Sequence, residues 1–468
     1  MTDPEPYSPQ LRTAVVFSGA GTAGAYHAGV LRALTEAGVK IDLVAGRGMG
    51  ALAAVFAAID GGQKLWGENA FWDSDAVSRL YGWRASLKLA VWALAASLAL
   101  VVVPLAAVAL GAIVFPFDFV IRMVGLGGAS GLVGAYMRLA DRLFAPAALP
   151  TWLPRLIVIV LGLAASTIAA ETVVTIVSSN RRRERGGLWW RGVRAPLSSR
   201  EVLSRAWTSM WDLVQGGAQT KQPTPSDLSG RYIDLLSDNV GQPGFRELVI
   251  TAHDLDARRD LVFALVEEHR RRDMIRRAST ADADVRRAEV VDLSGAGRRH
   301  AADAVAGALA VPVVNDPHHM TFAPDAYWRG ETHRLCDRPG ALSRLIDELT
   351  ELGVEQMIVV SAAASVDGPH ALAAGRLDGR GRVGEYLSAA EASAVRDALQ
   401  FAAVRIPRVF TIQPEHNPIG PFDFGGEYDD RSDRVQPLPE LLNRGYEDAY
   451  RLFIEPVVGA SGERVGLT

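Results

Sequence analysis

Two glycine-rich turns have the residue types and spacing that chemistry would need. The first, Gly19-Ala20-Gly21-Thr22-Ala23-Gly24, reads G-x-G-x-x-G between the apolar run Ala14-Val15-Val16-Phe17 and a helical pattern. Glycines there let backbone N–H groups approach an anion at a helix N-terminus. A dinucleotide site also needs an acidic residue at the end of the second strand, to hold the ribose. Asp42 stands at the start of that strand instead. The second turn, Gly46-Arg47-Gly48-Met49-Gly50, has the strand–turn–helix setting and glycine spacing of a nucleophile elbow, G-x-S-x-G. Elbow chemistry is acyl transfer: a serine at the tip attacks an ester while backbone N–H groups hold the oxyanion. Here the tip is Gly48.

The elements that would position these turns are legible around them. Ala14 to Phe17 is a short apolar run cut off by glycine, the pattern of a buried parallel strand. A helix over 28–36 follows, with Val30, Leu31, Leu34 and Ala37 at helical spacing and Gly38 as its stop. A strand over 41–45 leads through the second turn into a helix over 51–58. Two strands that each pass through glycines into a helix open an α/β domain. Its ligands sit outside the carboxyl ends of the strands, where both turns lie.

SGAGTAGAYHAGVLRALTEAG followed by AGRGMGALAAVFAA resembles the opening of patatin-like phospholipases. Further matches recur in order: Glu247 to Asp256 with Leu261-Val262-Phe263, Ala304 to Pro312 with Phe322-Ala323-Pro324, Tyr327 to Glu331, and Met357 to Ser361. The resemblance covers about 12–80 and 200–365. It implies an α/β three-layer sandwich with a mainly parallel sheet, a glycine-rich oxyanion loop, and a Ser–Asp dyad acting on lipid esters. The resemblance places Gly48 at the nucleophile position and Arg329 at the acid position, and Ala23 where the family usually has arginine. Glycine has no oxygen to attack an ester, and arginine cannot accept the proton. Losing one member of such a unit costs several orders of magnitude in rate. No catalytic residue is therefore expected intact. Gly19, Ala20, Gly21, Thr22 and Gly24 are left as a ligand-binding loop, joined by Arg329.

The chain is long enough, at 468 residues, for one large domain with an insertion or for two domains. A net charge of −4 argues against nucleic acid as a partner. Only four of the 49 basic residues are lysines (Lys40, Lys64, Lys88 and Lys221), which with the abundant alanine and glycine points to a high-GC genome. A single cysteine, Cys336, excludes an internal disulfide and fits a reducing compartment. The first ten residues are polar and lack the apolar core of a signal peptide. Asn315-Asp316-Pro317-His318-His319 is no metal site, because adjacent histidines point apart and no third ligand is evident. No cofactor is expected.

Two stretches depart from a soluble hydrolase. Leu89 to Phe117 carries no charge, and the apolar run from Leu156 continues past Glu171 to Val177. Each is long enough to cross a bilayer, which takes about 20 residues. They read as a transmembrane hairpin, dividing the chain into residues 1–84, 85–195 and 196–468. Nine basic residues flank the hairpin (Arg79, Arg84, Lys88, Arg181, Arg182, Arg183, Arg185, Arg191, Arg194) against four in its loop (Arg122, Arg138, Arg142, Arg155). That bias places the main domain in the cytoplasm, at a bacterial inner membrane. Between the spans, Leu132 to Phe144 has an apolar stripe that suits either a helix in the membrane surface or a small packed helix. The basic block His269 to Arg277 is either a solvated helix face or a contact with anionic lipid.

The expected function is thus a membrane-anchored, catalytically silent patatin-like protein that binds membrane lipid or a protein partner. In its cleft Arg329 would hold an anionic head group or a fatty-acid carboxylate, or pair with Glu331 or Asp325 and leave the cleft empty. The alternative is an active acyl hydrolase with Ser18, beside the first glycine turn, as nucleophile; no base for it is visible. A turn hydroxyl is the plainer reading of Ser18.

Overall fold

The computed structural model describes the chain except for residues 1–5, 68–69, 73–74, 125–130, 145–152, 179–194, 217–220, 277–282, 365–374, 376–377 and 459–468. Its core is a nine-stranded sheet built outward from β1 (Thr13–Ser18), whose every residue is buried. β1 pairs in parallel with β2 (Leu43–Gly46) on one side and with β8 (Gln356–Ser361) on the other. Beyond β2 come β3 (Glu247–Asp254), β4 (Arg259–Leu265) and β5 (Val290–Asp292); beyond β8 lies β9 (Arg408–Ile412). β2–β3, β8–β9 and β4–β5 are parallel, whereas β3 and β4 form an antiparallel hairpin. A side hairpin of β6 (His318–Thr321) and β7 (Thr332–Cys336) joins the carboxyl end of β3 through His253 and Asp254.

Both faces of the sheet are covered, which is why the central strands read as continuous apolar runs. Val15, Phe17, Val44, Ile250, Ile358 and Val360 pack into one core with α1 (Ala23–Glu36) and α2 (Gly50–Ala58). Ala14, Val16, Ala45, Val249, Met357 and Val359 pack into the other, beneath the helices Ala341–Glu351 and Gly379–Arg405. The result is an α/β domain with a mostly parallel sheet between two helical layers.

Both helices after the glycine turns begin earlier than the periodicity predicts, at Ala23 and Gly50, because the turns themselves wind into the first helical turn. The strand over 408–412 falls where its apolar run places it. Ser198-x-x-Glu201, by contrast, forms no capping box. The Ser198 N–H is drawn away to Gly82 O at 3.0 Å, and the helix Arg200–Val214 starts one residue later without a side-chain cap. Three arginines of the basic block are drawn into ion pairs, Arg270 with Glu247 and Glu267, Arg271 with Glu268 and Asp292, Arg272 with Glu268.

The described chain divides into two units, one of Met1–Gly82 with Leu197–Thr468 and the other Trp83–Pro196. In the second unit a helix over Ala85–Met123 packs with helices over Gly131–Phe144 and Leu153–Ser178. Tyr136 fixes one of these contacts, donating to Ala107 O at 3.0 Å and lying edge-on to Phe115. The Ala85–Met123 helix is long and apolar enough to cross a membrane. Its side chains face outward, with Trp92 74% and Leu105 67% exposed, as no core helix would have them. The apolar part of the Leu153–Ser178 helix, Arg155–Ala170, falls short of a full span, so among the described residues one helix is long and apolar enough to cross a membrane. The flanking arginines between 181 and 194 lie outside the described residues.

In the first unit α1 makes its most extensive helix contact with the helix Leu438–Ala449. Two glycines permit it: a Cβ on Gly29 would lie 1.9 Å from Leu442 O, and one on Gly445 would lie 2.3 Å from Tyr26 O. Backbone sits on backbone there, and a methyl group has nowhere to go. Gly29→Ala is therefore expected to lower unfolding stability by about 1–3 kcal/mol, the usual cost of overpacking, although alanine is the better helix former. Denaturant titration of the two proteins checks it; equal midpoints would contradict this packing.

Candidate functional site

The second glycine turn forms the elbow that its spacing predicts. β2 ends at Gly46, α2 starts at Gly50, and Gly48 between them holds φ +57°, a left-handed value that favours glycine. The tip is closed. A Cβ at residue 48 would lie 2.4 Å from Gly19 O and 3.0 Å from Asp337 Oδ2. The Met49 N–H, which follows the tip and in an elbow enzyme would help hold the oxyanion, donates to the same Gly19 O at 2.7 Å. A backbone carbonyl thus sits where a serine side chain and the oxyanion of its substrate would both need space. Around the first glycine turn, Thr22 N–H donates to Pro421 O and Thr22 Oγ1 to Gly420 O, so the late loop 417–421 is fastened over it.

Beneath the tip lies a buried charge cluster contributed by four distant segments. Arg47, with no solvent exposure, reaches Asp337 Oδ1 at 3.3 Å and pairs with Glu391. Ser18 Oγ donates to Glu391 Oε1 at 2.5 Å, and Arg47 Nε approaches Ser18 Oγ at 3.4 Å. One guanidinium therefore faces two carboxylates. Burial pushes the Asp337 carboxyl up to about 6; the Arg47 guanidinium opposes the rise and the Glu391 carboxylate adds to it. His27, on α1 beneath the first turn, is held neutral because burial lowers it to about 3. As a neutral ring it donates from Nε2 to Ser18 O at 3.1 Å and props the turn.

The carboxylate beside the elbow tip is that of Asp337, and Arg329 is not there. Arg329 lies on an exposed turn over 323–331, with its N–H on Ala326 O and φ +44°, and it does not line the cleft. Arg329 falls where the resemblance places the acid, but the chain there turns back before β7 instead of entering the sheet. β7 then ends at Cys336 and delivers Asp337 beside Gly48. The expectation of an anion held by Arg329 falls with this placement: the arginine of the cleft is Arg47, and two carboxylates already match it. Gly19, Ala20 and Thr22 do line the cleft, and Gly21 abuts Pro421 at its rim. Gly24 faces Trp72 and Met49 in the core. The Cys336 thiol is inert, since burial and the nearby Asp337 carboxylate push it up to about 12.

Sequence reasoning missed Asp337, Arg47 and Glu391. A signal existed for Glu391: Leu387, Glu391, Val395, Ala398 and Ala402 fall on one helical face, and a carboxylate in an apolar stripe needs a buried partner. His318 and His300 both turn to Asp303, and among the described residues no group of side chains is arranged to hold a metal.

The cleft lined by the first turn, Arg47, Asp337, Leu387, Glu391, Asn417 and Ile419 has a volume of about 40 Å³. At about 10–15 Å³ per water on that measure, it holds a few waters and no acyl chain.

The model of the patatin-like phospholipase family matches residues 15–337 of this chain. No curated protein matches it. Among solved structures, VipD from Legionella pneumophila aligns over 97% of this chain and 67% of its own at 11% identity, with a TM-score of 0.32.

Two outcomes follow from the cluster. Asp337 binds its proton more tightly folded than unfolded, so its contribution to stability is complete below about pH 4 and is lost as pH rises through about 6. Asp337→Asn, which keeps the neutral shape, is expected to be more stable than the native protein at pH 8 by an amount on the order of 1–3 kcal/mol. The two should agree at about pH 3.5, below the unfolded value. Melting curves at both pH values decide it, and a destabilised variant at pH 8 would mean that the ionised carboxylate is needed. Gly48→Ser must push Gly19 O aside and place a side chain at positive φ, at a cost of about 1–3 kcal/mol. A serine variant as stable as the native protein would show that the tip is open.

Proposed function

Because the chain belongs to the patatin-like phospholipase family, we propose that it is a membrane-anchored, catalytically silent member of that family. On this reading it keeps the scaffold and uses it to bind membrane lipid or a protein partner. One observation carries the reading: the elbow tip is Gly48, and the Gly19 carbonyl fills the space of the missing side chain. The acid at Asp337 remains but has no hydroxyl to activate, and it shares a buried guanidinium with Glu391. Anchoring is supported by the exposed apolar helix over Ala85–Met123. The apolar helix over Leu153–Ser178 would complete a hairpin, with the arginine-rich flanks and the main domain on the cytoplasmic side of a bacterial inner membrane.

A second reading keeps one observation in its favour. Ser18 has the base that its sequence surroundings lack, Glu391 at 2.5 Å, so an acyl hydrolase with a Ser18 nucleophile has a donor–acceptor pair to work with. Against it, Ser18 has no exposure, lies under Arg47, and does not line the cleft. A nucleophile must reach within about 3 Å of the reacting carbon.

The full chain in detergent is expected to hydrolyse neither p-nitrophenyl esters nor fluorescent phosphatidylcholine above a boiled control. Turnover that Ser18→Ala abolishes would establish the second reading, and turnover that survives Ser18→Ala but not Asp337→Asn would refute silence by another route.

A further inference from the structure

The loop 311–315 holds an apolar side chain out into solvent at the place where the main unit gives way to the insertion. Val313 is 84% exposed and sits at φ +69°, a conformation that β-branched residues avoid. The loop is not loose: Leu197 N–H donates to Val314 O at 3.0 Å, and Asn315 N–H to Val311 O at 2.9 Å. Leu197 is the residue at which the main unit resumes, and its neighbour Ser198 donates to Gly82 O, where that unit leaves off. Val313 therefore stands beside both exits of the insertion.

The covalent path from those exits to hydrocarbon is short. Gly82 is followed by Trp83 and Arg84, the helix begins at Ala85, and the uncharged stretch starts at Leu89. Three chain steps to Ala85 at up to ~3.5 Å each and four helical steps to Leu89 at ~1.5 Å each leave no more than about 17 Å between Gly82 and the apolar layer. Exposed Arg79 and the flanking Arg84 and Lys88 are the charges that anionic head groups attract, and Trp83 is the residue type that favours the interface.

We propose that the Val313 loop is a membrane contact, which inserts its side chain at the head-group boundary of an anionic bilayer and seats the main unit on the lipid surface. This inference rests on the reading that the Ala85–Met123 helix enters a membrane. An exposed valine in a disfavoured backbone, held by two hydrogen bonds, is a poor surface for water and a good one for lipid.

The test labels Val313→Cys with an environment-sensitive nitrobenzoxadiazole dye in the full chain. Cys336 is buried and its thiol stays protonated, so the label goes to 313. The protein is reconstituted in vesicles of equal parts phosphatidylcholine and phosphatidylglycerol, with and without lipid carrying a shallow nitroxide. Flotation with the vesicles together with a severalfold loss of dye emission to the nitroxide is the expected result. Flotation without quenching overturns the loop contact and leaves anchoring standing, also where the emission is blue-shifted because a second copy covers the loop. Failure to float removes the anchoring reading and this inference with it.

Discussion

The buried guanidinium of Arg47 is the constraint on which the rest of the cleft depends. A charge taken out of water at the end of a central strand must be matched on the spot, or the elbow does not form. Asp337 and Glu391 supply the match from the end of the β6–β7 hairpin and from the helix Gly379–Arg405. Segments separated by 290 and 344 residues in sequence are thereby locked to the turn at Gly46–Gly50. One positive charge against two negative ones leaves a surplus, which is why the Asp337 carboxyl is raised to about 6 and takes up a proton below that pH. The cluster is thus balanced for holding the fold together and is poorly disposed to attract an anion.

The closed tip and the buried arginine belong together. With glycine at 48 the Gly19 carbonyl can lie against the elbow and take the Met49 N–H. With that donor occupied and no hydroxyl to hold, Asp337 is left to Arg47. A serine alone would reverse only the first of these steps, and would meet the others as a clash above and a charge already paired below. The packing, as well as the one missing oxygen, departs from what an acyl-transfer elbow needs.

Much of the architecture was legible because it is local. The strand–turn–helix units around 14–36 and 43–58 announce themselves by apolar runs cut by glycine, and β3, β4, β8 and β9 by their apolar runs alone. The cleft was less legible because it is assembled across the sheet. β7, Thr-His-Arg-Leu-Cys, has three polar residues before its two apolar ones and lies at the sheet margin, where only His253 and Asp254 of β3 pair with it. Its sequence therefore carries no buried run to mark where the acid would emerge, and the Arg329-Gly330 pair upstream offered a false register. The family match ends at residue 337, so the carboxylate beside the tip closes the shared portion of the chain. Glu391 and the loop 417–421 lie beyond it, contributed by a part of the chain that the family pattern does not describe.

The persistence of an elbow without its nucleophile has a physical reason. A serine at φ +57° stores strain that an enzyme offsets elsewhere, and glycine at the same place stores little. Once the hydroxyl is gone, the turn becomes the cheapest way to lead a buried strand into a buried helix, since α2 has every residue covered and no side-chain cap. Its first N–H groups must find acceptors, and Gly19 O is the nearest one. Closure of the oxyanion site is then what backbone hydrogen-bond satisfaction demands of this scaffold when no substrate is there to supply the acceptor.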